Sequence, residues 1–307
     1  MEIKPIKNVC IIGAGFMGTQ IGLQCAIYGY PVWFVDTSQA ALEQASRNHI
    51  QELENRIENQ QLTPDEKMTI LRRIHFTTHI QEGTSDADLV IEAVPERLEI
   101  KREVFRQLDE ICPSHTILAT NSSSIRISLI EEVTHRQDRV LNAHFYPPVW
   151  QRSMVELMRG TSTSDETIER VRRFAYTIHV TPLLVLKEST GFLFNRVWRA
   201  IKKEVLHLVD EGVASYEDVD RAWRIFWGTP LGPFGMMDIV GLDVVRDIEN
   251  IYYKESGDPS DAPPKLLLDK IEKGELGVKT GRGFYTYPNP AYQDPAWLKN
   301  PKKQPDI

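Results

Sequence analysis

Residues 8–18 read Asn-Val-Cys-Ile-Ile-Gly-Ala-Gly-Phe-Met-Gly, a short apolar run that leads directly into a G-x-G-x-x-G pattern. The apolar run predicts a buried strand, and the glycine pattern predicts a turn into a helix. In such a unit Gly13 makes the tight turn, Gly15 lets the backbone approach a pyrophosphate, and Gly18 lets the helix pack on the strand. The first N–H groups of the helix can bind phosphates, so the stretch predicts a dinucleotide site. The predicted cofactor contacts are Gly13, Gly15, Phe16, Met17 and Gly18.

A second apolar run, residues 32–35, ends at Asp36. Its spacing from the glycines is typical of the carboxylate that binds the ribose hydroxyls of the adenosine. The next three residues are Thr37, Ser38 and Gln39, so no arginine follows that could bind a 2′-phosphate. We therefore expect NAD rather than NADP as the cofactor.

The composition is that of an ordinary globular protein. The 307 residues are 41% hydrophobic and 26% charged, which is enough for two domains with a sizeable core. The formal net charge of −7 disfavours nucleic acid as a partner, because phosphate binding requires a basic face. Cys10, Cys25 and Cys112 are too few, and lie too deep in apolar segments, for a disulfide framework or a metal site, so we predict no metal.

No apolar stretch reaches 18 residues, and the first predicted strand begins within ten residues of Met1. The pattern therefore leaves no room for a signal peptide or a membrane-spanning helix. We expect a cytoplasmic protein with no membrane partner.

Short apolar runs alternate with helical patterns through the first part of the chain. Strands are predicted over residues 74–78, 88–94, 116–120, 140–144, 155–158 and 180–186. Helices are predicted over residues 39–60, 98–111 and 165–177, and a further helix is predicted to begin at residue 64. This alternation predicts an α/β domain with a Rossmann-type doubly wound parallel sheet. Ligands of such sheets bind at the carboxyl ends of the strands, where Glu96, Ser123 and His144 fall.

The pattern changes near residue 188. Between Phe194 and Val209 apolar residues recur every three or four positions, which predicts one broad apolar face of a long helix. We predict three parts: an NAD-binding Rossmann domain over residues 1–187, an all-helical C-terminal domain for dimerisation and substrate over 188–287, and an extended tail over 288–307. The tail contains five prolines among its last twenty residues and is not expected to pack.

His144 is the candidate general base. Oxidation of a secondary alcohol removes a hydride from carbon and a proton from the hydroxyl, and histidine suits proton transfer because its unperturbed pKa lies near neutrality. Glu156, twelve residues further on, could pair with the other ring nitrogen and stabilise the imidazolium. The chain has eight histidines, and the residues alone leave a structural role for His144 open.

Seven motifs, in order along the chain, match one family. The chain resembles the short-chain L-3-hydroxyacyl-CoA dehydrogenases from residue 9 to residue 287. The matching motifs are Gly13-Ala14-Gly15-Phe16-Met17-Gly18, Glu92-Ala93-Val94-Pro95-Glu96, Asn121-Ser122-Ser123-Ser124, His144-Phe145 with Glu156, Gly191-Phe192-Leu193-Phe194-Asn195-Arg196, Gly232-Pro233-Phe234, and Lys279-Thr280-Gly281-Arg282-Gly283-Phe284-Tyr285.

The resemblance implies roles for individual residues. His144 would be the general base with Glu156 as its partner, and the resemblance places Asp36 on the adenosine ribose. Ser123 and Asn195 would hydrogen-bond the substrate oxygen and the histidine. The further NAD contacts that it implies are Glu96, Lys101 and Lys279. It also implies a homodimer built mainly through the helical domain.

The chain departs from the family in two places. The family usually has Asn three residues after its histidine, where this chain has Pro147. The family also has a serine and lysines where CoA phosphates bind, on the helix after the second strand. Here that helix carries three carboxylates, which oppose a polyanion, and two arginines. These residues are Glu52, Glu54, Glu58, Arg47 and Arg56.

Arg152 lies just beyond His144, where relatives that use CoA tend to be apolar, and could bind a free carboxylate.

From the seven motifs we expect an NAD-dependent dehydrogenase that interconverts an L-3-hydroxyacyl-CoA and its 3-ketoacyl-CoA. The alternative is an enzyme of the same family acting on a free 3-hydroxy acid or small polar alcohol, as gulonate and carnitine dehydrogenases do. A cofactor-binding protein without turnover, like the crystallin-type members, is the third possibility.

Overall fold

The first part of the chain is built on one eight-stranded sheet. A computed structural model describes residues 3–299. The strands are β1 Val9–Ile12, β2 Val32–Val35, β3 Ile74–Thr77, β4 Leu89–Glu92, β5 Ile117–Thr120, β6 Val140–Phe145, β7 Met154–Arg159 and β8 Thr181–Val185. Their order across the sheet is β3-β2-β1-β4-β5-β6-β7-β8. All eight predicted strands are present, and the doubly wound sheet is confirmed.

The direction of the last two strands differs from the prediction of a parallel sheet. The strands β1 to β6 are parallel, but β7 is antiparallel to β6, and β8 runs parallel to β7. Residues 146–153, which join β6 to β7, are too few for the crossover of about a dozen residues that a parallel pair requires. The short connection therefore reverses the chain and places β7 directly beside β6.

Helices cover both faces of the sheet. They are α1 Phe16–Ile27, α2 Gln39–Glu58, α3 Pro64–Leu71, α4 Ile80–Thr84, α5 Leu98–Ile111, α6 Ser128–Glu131 and α7 Asp165–Thr177. A separate hydrophobic core lies on each face of the sheet. Successive residues of β1 contribute to alternate cores, Val9 and Ile11 to one and Cys10 and Ile12 to the other. Both faces are therefore buried, which explains why the strands read as continuous apolar runs.

The rest of the chain is helical, as predicted. The chain divides into two compact units between Leu193 and Phe194. The second unit contains α8 Phe194–Asp210, α9 Tyr216–Trp227, α10 Pro233–Val240, α11 Leu242–Ser256 and α12 Lys265–Glu272 around a core of its own. None of the helices within residues 3–299 is long and apolar enough to cross a membrane.

The predicted proline-rich tail is packed in its described part, which corrects the expectation. Residues 291–293 and 295–298 form two short 3-10 helices that bury Tyr292 and Trp297 in the core of the helical unit. The ring of Trp297 also lies 4.5 Å from the guanidinium carbon of Arg221. Prolines begin these turns, but the aromatic side chains between them supply the apolar surface that packs. The remaining residues of the predicted tail, 300–307, lie outside the described part.

Candidate active site

The glycine turn after β1 is shaped by two close approaches. Gly13 has a φ of +101°, and a Cβ there would lie 2.7 Å from the carbonyl oxygen of Ala93. A Cβ on Gly18 would lie 1.9 Å from the carbonyl oxygen of Gly13, which is a clash with backbone. Gly13 therefore permits the tight turn, and Gly18 permits α1 to pack against the strand that precedes it.

Gly15 is different, because a Cβ there would meet nothing within 4 Å. The space in front of Gly15 is open, and Gly15 is also the N-cap residue of α1, with no side chain capping the helix. The first amides of a helix have no intrahelical acceptor, so they are donors for an anion. The open space and the uncapped amides fit the pyrophosphate of a dinucleotide.

Asp36 is held against this turn. Its Oδ2 accepts a hydrogen bond of 2.8 Å from the amide of Ala14, and its Oδ1 accepts one of 2.9 Å from the amide of Ser38. The carboxylate therefore has a fixed position beside the glycines. It is partly exposed, so it can also accept hydrogen bonds from ribose hydroxyls.

The side chain of Lys101 is buried, and its expected contact with NAD stays a prediction. Its side chain is 1% exposed, and its Nζ lies 2.8 Å from Glu92 and 3.2 Å from Glu96. Glu92 is itself buried at the end of β4 and accepts a second hydrogen bond, of 2.7 Å, from the hydroxyl of Thr120. A buried ammonium needs such partners, and two of those found here are carboxylates.

Glu96 organises the loop that carries Ser123. Its Oε1 accepts hydrogen bonds from the Ser122 hydroxyl at 2.6 Å and from the amides of Ser123 and Ser124, both at 3.0 Å. Burial alone would raise the pKa of Glu96, but the charge of Lys101 and these donors lower it below its ordinary value. Glu96 is therefore a stable carboxylate that holds the serine loop, and the exposed side chain of Ser123 lies at the end of β5.

His144 and Glu156 form a buried pair between neighbouring strands. They are directly opposite each other in the β6–β7 register, and Nδ1 of His144 lies 3.1 Å from Oε2 of Glu156. Tyr146 donates a hydrogen bond of 2.8 Å to the same oxygen, and the amide of Leu193 donates one of 3.1 Å to Oε1. The carboxylate is therefore surrounded by donors from three segments.

The imidazole of His144 is packed between two aromatic rings. The ring of Phe192 stacks on it at 5.1 Å and 21°, and the ring of Tyr146 lies 4.4 Å away at 60°. Phe192 has a φ of +53°, a left-handed conformation that a bulky residue rarely adopts. Neither Tyr146 nor Phe192 was predicted as a site residue. Alternation along a strand places residues 144 and 146 on one face and could have indicated the first.

Two cations of the first unit pair with carboxylates of α2. Arg56 pairs with Glu52 at 2.8 Å, and its guanidinium carbon lies 5.1 Å from the ring centre of Trp150, which follows the His144 strand. Lys67 pairs with Glu54 at 2.8 Å. Two of the three carboxylates that oppose a polyanion are therefore neutralised locally, one by Arg56 and one by Lys67.

Arg152 lies in the same connection between β6 and β7. Its side chain is exposed, and Nη1 donates a hydrogen bond to the carbonyl oxygen of Pro147. Within residues 3–299 no carboxylate forms an ion pair with it. Its charge is thus available to an anionic ligand.

Two predicted site residues belong to the second unit. Asn195 lies in the first turn of α8. Lys279 is exposed, and its Nζ lies 2.5 and 2.6 Å from the two carboxylate oxygens of Asp243. Their proposed contacts with substrate and cofactor stay predictions.

Comparison with known proteins places most of the chain, residues 8–287, in one family. The sequence pattern described as "3-hydroxyacyl-CoA dehydrogenase, NAD binding domain" matches residues 8–189, and that of the "3-hydroxyacyl-CoA dehydrogenase, C-terminal domain" matches residues 191–287. The chain belongs to the 3-hydroxyacyl-CoA dehydrogenase family. Its cofactor is NAD, and it is an NAD-dependent dehydrogenase.

Individual members of the family are similar over nearly the full length. A probable 3-hydroxybutyryl-CoA dehydrogenase of Bacillus subtilis is 36% identical, over 92% of this chain and 98% of its own. The crystal structure of (S)-3-hydroxybutyryl-CoA dehydrogenase PaaH1 from Ralstonia eutropha has a TM-score of 0.87 and 36% identity, over 92% of this chain and 100% of its own. An NAD-dependent 5-dehydrogenase of a 5-formyl-3-hydroxy-2-methylpyridine 4-carboxylic acid has a TM-score of 0.72 and 30% identity, over 96% and 93% of the two chains.

Proposed function

We propose that this dehydrogenase interconverts an L-3-hydroxyacyl-CoA and its 3-ketoacyl-CoA, with His144 as the general base. The observation that carries the proposal is the buried His144–Glu156 pair at the carboxyl end of β6, in a domain whose glycine turn leaves open space at Gly15. The names of the relatives support the thioester, because they are 3-hydroxybutyryl-CoA and hydroxyacyl-CoA dehydrogenases.

The cofactor would be held at the first turn of α1. Residues 13–18 would contact the pyrophosphate through backbone amides, and Asp36 would accept hydrogen bonds from the adenosine ribose. When bound, NAD supplies the acceptor for the hydride of the alcohol carbon. Of the other predicted contacts, Glu96 and Lys279 have exposed surface to offer. We propose that Lys101 acts through Glu96, because its own ammonium is buried.

The orientation of His144 decides which nitrogen takes the proton. Because Nδ1 faces the carboxylate of Glu156, its proton is donated there, and Nε2 is left as the acceptor for the proton of the substrate hydroxyl. The imidazolium formed in this step is stabilised by the negative charge of Glu156. The family resemblance implies that Ser123 and Asn195 hydrogen-bond the substrate oxygen and the histidine.

A free 3-hydroxy acid or small polar alcohol is the second candidate substrate. The observation that favours it is Arg152, an exposed guanidinium in the connection after His144 whose charge has no ion-pair partner within residues 3–299. A similar solved enzyme acts, by its name, on a pyridine carboxylic acid, so the same fold accommodates a free carboxylate. Binding of NAD without turnover is the least supported alternative, since the buried pair is assembled.

A substrate panel separates these proposals. The rates of NADH oxidation with acetoacetyl-CoA and with free acetoacetate are compared for the native protein, Arg152→Met, Arg47→Ala and Arg56→Ala, with Arg173→Met on α7 as a control. We expect acetoacetyl-CoA to be the better substrate, a higher KM in the Arg47 and Arg56 variants, and little effect of Arg152→Met. A preference for free acetoacetate that Arg152→Met abolishes would establish a free 3-hydroxy acid as the substrate. No turnover of either compound would favour a protein that binds NAD without catalysis.

We also propose a homodimer formed through the helical unit. The side chain of Val197 on α8 is 55% exposed, and at the end of α9 Ile225, Phe226 and Trp227 are all more than 60% exposed. Exposed apolar surface of this kind is typical of contacts between subunits. A cytoplasmic location and a role in fatty acid metabolism fit the enzymatic proposal and stay predictions.

A further inference from the structure

Tyr146 and His144 share one oxygen of a buried carboxylate. The hydroxyl of Tyr146 donates to Oε2 of Glu156 at 2.8 Å, and Nδ1 of His144 lies 3.1 Å from the same atom. The other oxygen, Oε1, accepts the amide of Leu193 at 3.1 Å. All three side chains are buried, so these donors replace the hydration that the carboxylate lost on folding.

The position of Tyr146 follows from the strand. It is the first residue after β6 and two residues from His144, so both side chains point to the same face, opposite Glu156 on β7. Its ring lies edge-on to the imidazole at 4.4 Å. A phenylalanine would keep this ring contact and would lack only the hydroxyl.

We propose that Tyr146 is a positioning residue for the reaction: its hydroxyl fixes the carboxylate of Glu156 in the orientation that holds His144. The terminal torsion of glutamate is broad, so each donor on the carboxylate of Glu156 restricts its rotation. The hydroxyl of Tyr146 donates to Oε2, the oxygen that faces Nδ1 of His144, and so helps to keep this oxygen directed at the imidazole. The proposal rests on the proposed role of His144 as the base, since Tyr146 acts on the reaction only through the His144–Glu156 pair.

A double-mutant cycle tests the proposal. Tyr146→Phe should lower kcat about tenfold, the size expected for one lost hydrogen bond to a charged group, while KM and the Kd of NAD stay within about twofold. In a Glu156→Gln background the same substitution should lower kcat no further, because the carboxylate through which Tyr146 acts is gone. Tyr30→Phe is the matched control. It removes a tyrosine hydroxyl that bonds Thr177 at 2.6 Å elsewhere in the same unit, and it should leave kcat unchanged.

The outcomes separate the two proposals. An equal loss of kcat in the native and Glu156→Gln backgrounds would overturn the role of Tyr146, and so would a Tyr146→Phe enzyme with native kcat. If Glu156→Gln does not fold, His144→Ala serves as the second background, and Tyr146→Phe should leave its residual rate unchanged. A His144→Ala enzyme with nearly native turnover would instead overturn the proposed function itself.

Discussion

His144 lies directly opposite Glu156 in the antiparallel pair of β6 and β7, with Nδ1 3.1 Å from Oε2. This relationship depends on the reversal of the chain after β6. In a parallel pair a crossover of about a dozen or more residues would separate the two strands, and residues 144 and 156 could not face each other. The strand direction that departs from the simple doubly wound pattern is therefore what assembles the proposed base and its partner.

Gly15 and Gly18 should respond differently to the same substitution. Gly15→Ala places a Cβ in open space, so we expect a loss of stability below about 1 kcal/mol but a Kd for NAD raised more than tenfold. Gly18→Ala places its Cβ 1.9 Å from the Gly13 carbonyl oxygen and should cost about 1–3 kcal/mol or more. Denaturant unfolding and NAD titration measure both. Native NAD affinity in Gly15→Ala would contradict the assignment of the pyrophosphate site.

Lys101→Met should be among the most destabilising substitutions in the first unit. It leaves the buried carboxylate of Glu92 without its counter-charge, which typically costs about 3–5 kcal/mol. Lys265→Met is the matched control, because that lysine is 79% exposed and pairs with Asp269 across one helical turn. The control should change the free energy of unfolding by less than about 0.5 kcal/mol. Equal stability of the two variants would show that Lys101 is not held as the structure has it.

Asp220 should make the stability of the helical unit depend on pH. Burial raises its pKa from the ordinary 3.8 to about 6, although the amides of Phe234 and Gly235 and the hydroxyl of Tyr285 lower it. Between pH 3.8 and pH 6 the native state binds more protons than the unfolded state. The contribution of Asp220 to the free energy of unfolding is therefore fully present below pH 3.8 and is lost as the pH rises through 6.

Comparison with Asp220→Asn isolates this contribution. The difference in the free energy of unfolding between the native protein and the variant should decrease by about 1 kcal/mol between pH 5 and pH 7. Tryptophan fluorescence during denaturation follows the helical unit, which holds four of the six tryptophans: Trp198, Trp223, Trp227 and Trp297. Asp247→Asn, an exposed carboxylate on α11, should show no such change. A constant difference between native protein and Asp220→Asn would refute the prediction.

Sedimentation velocity at micromolar concentration should give a dimer of the 35.2 kDa chain. Val197→Glu should shift it toward the monomer, because a charge in an apolar interface is costly to desolvate. Met68→Glu, which changes an exposed apolar residue on α3 of the first unit, should leave the dimer intact. A native protein that sediments as a monomer would contradict the proposed homodimer.

The sequence could predict features that depend on local backbone geometry. The three glycines have the separate environments expected of them, because each reflects a short-range constraint on the turn between β1 and α1. The strands and the long helices could also be located, since their apolar periodicity is a local property.

Features that depend on tertiary pairing could not be predicted in this way. Lys101 reads as a helix lysine, and only the position of Glu92 on β4 explains why it is buried. The proline content of residues 288–299 indicated an unpacked tail, but the burial of Tyr292 and Trp297 is decided by the helices beneath them. The hydroxyl of Tyr146 reaches Glu156 only because β7 reverses beside β6.

The reduction of acetoacetyl-CoA by NADH, compared between the native protein and His144→Ala, tests the central proposal most directly. General-base catalysis contributes roughly 10²–10⁴-fold, so we expect kcat to fall by that factor in the variant while NAD still binds with native affinity. A His144→Ala enzyme that binds NAD and turns over within a few-fold of the native rate would contradict the account.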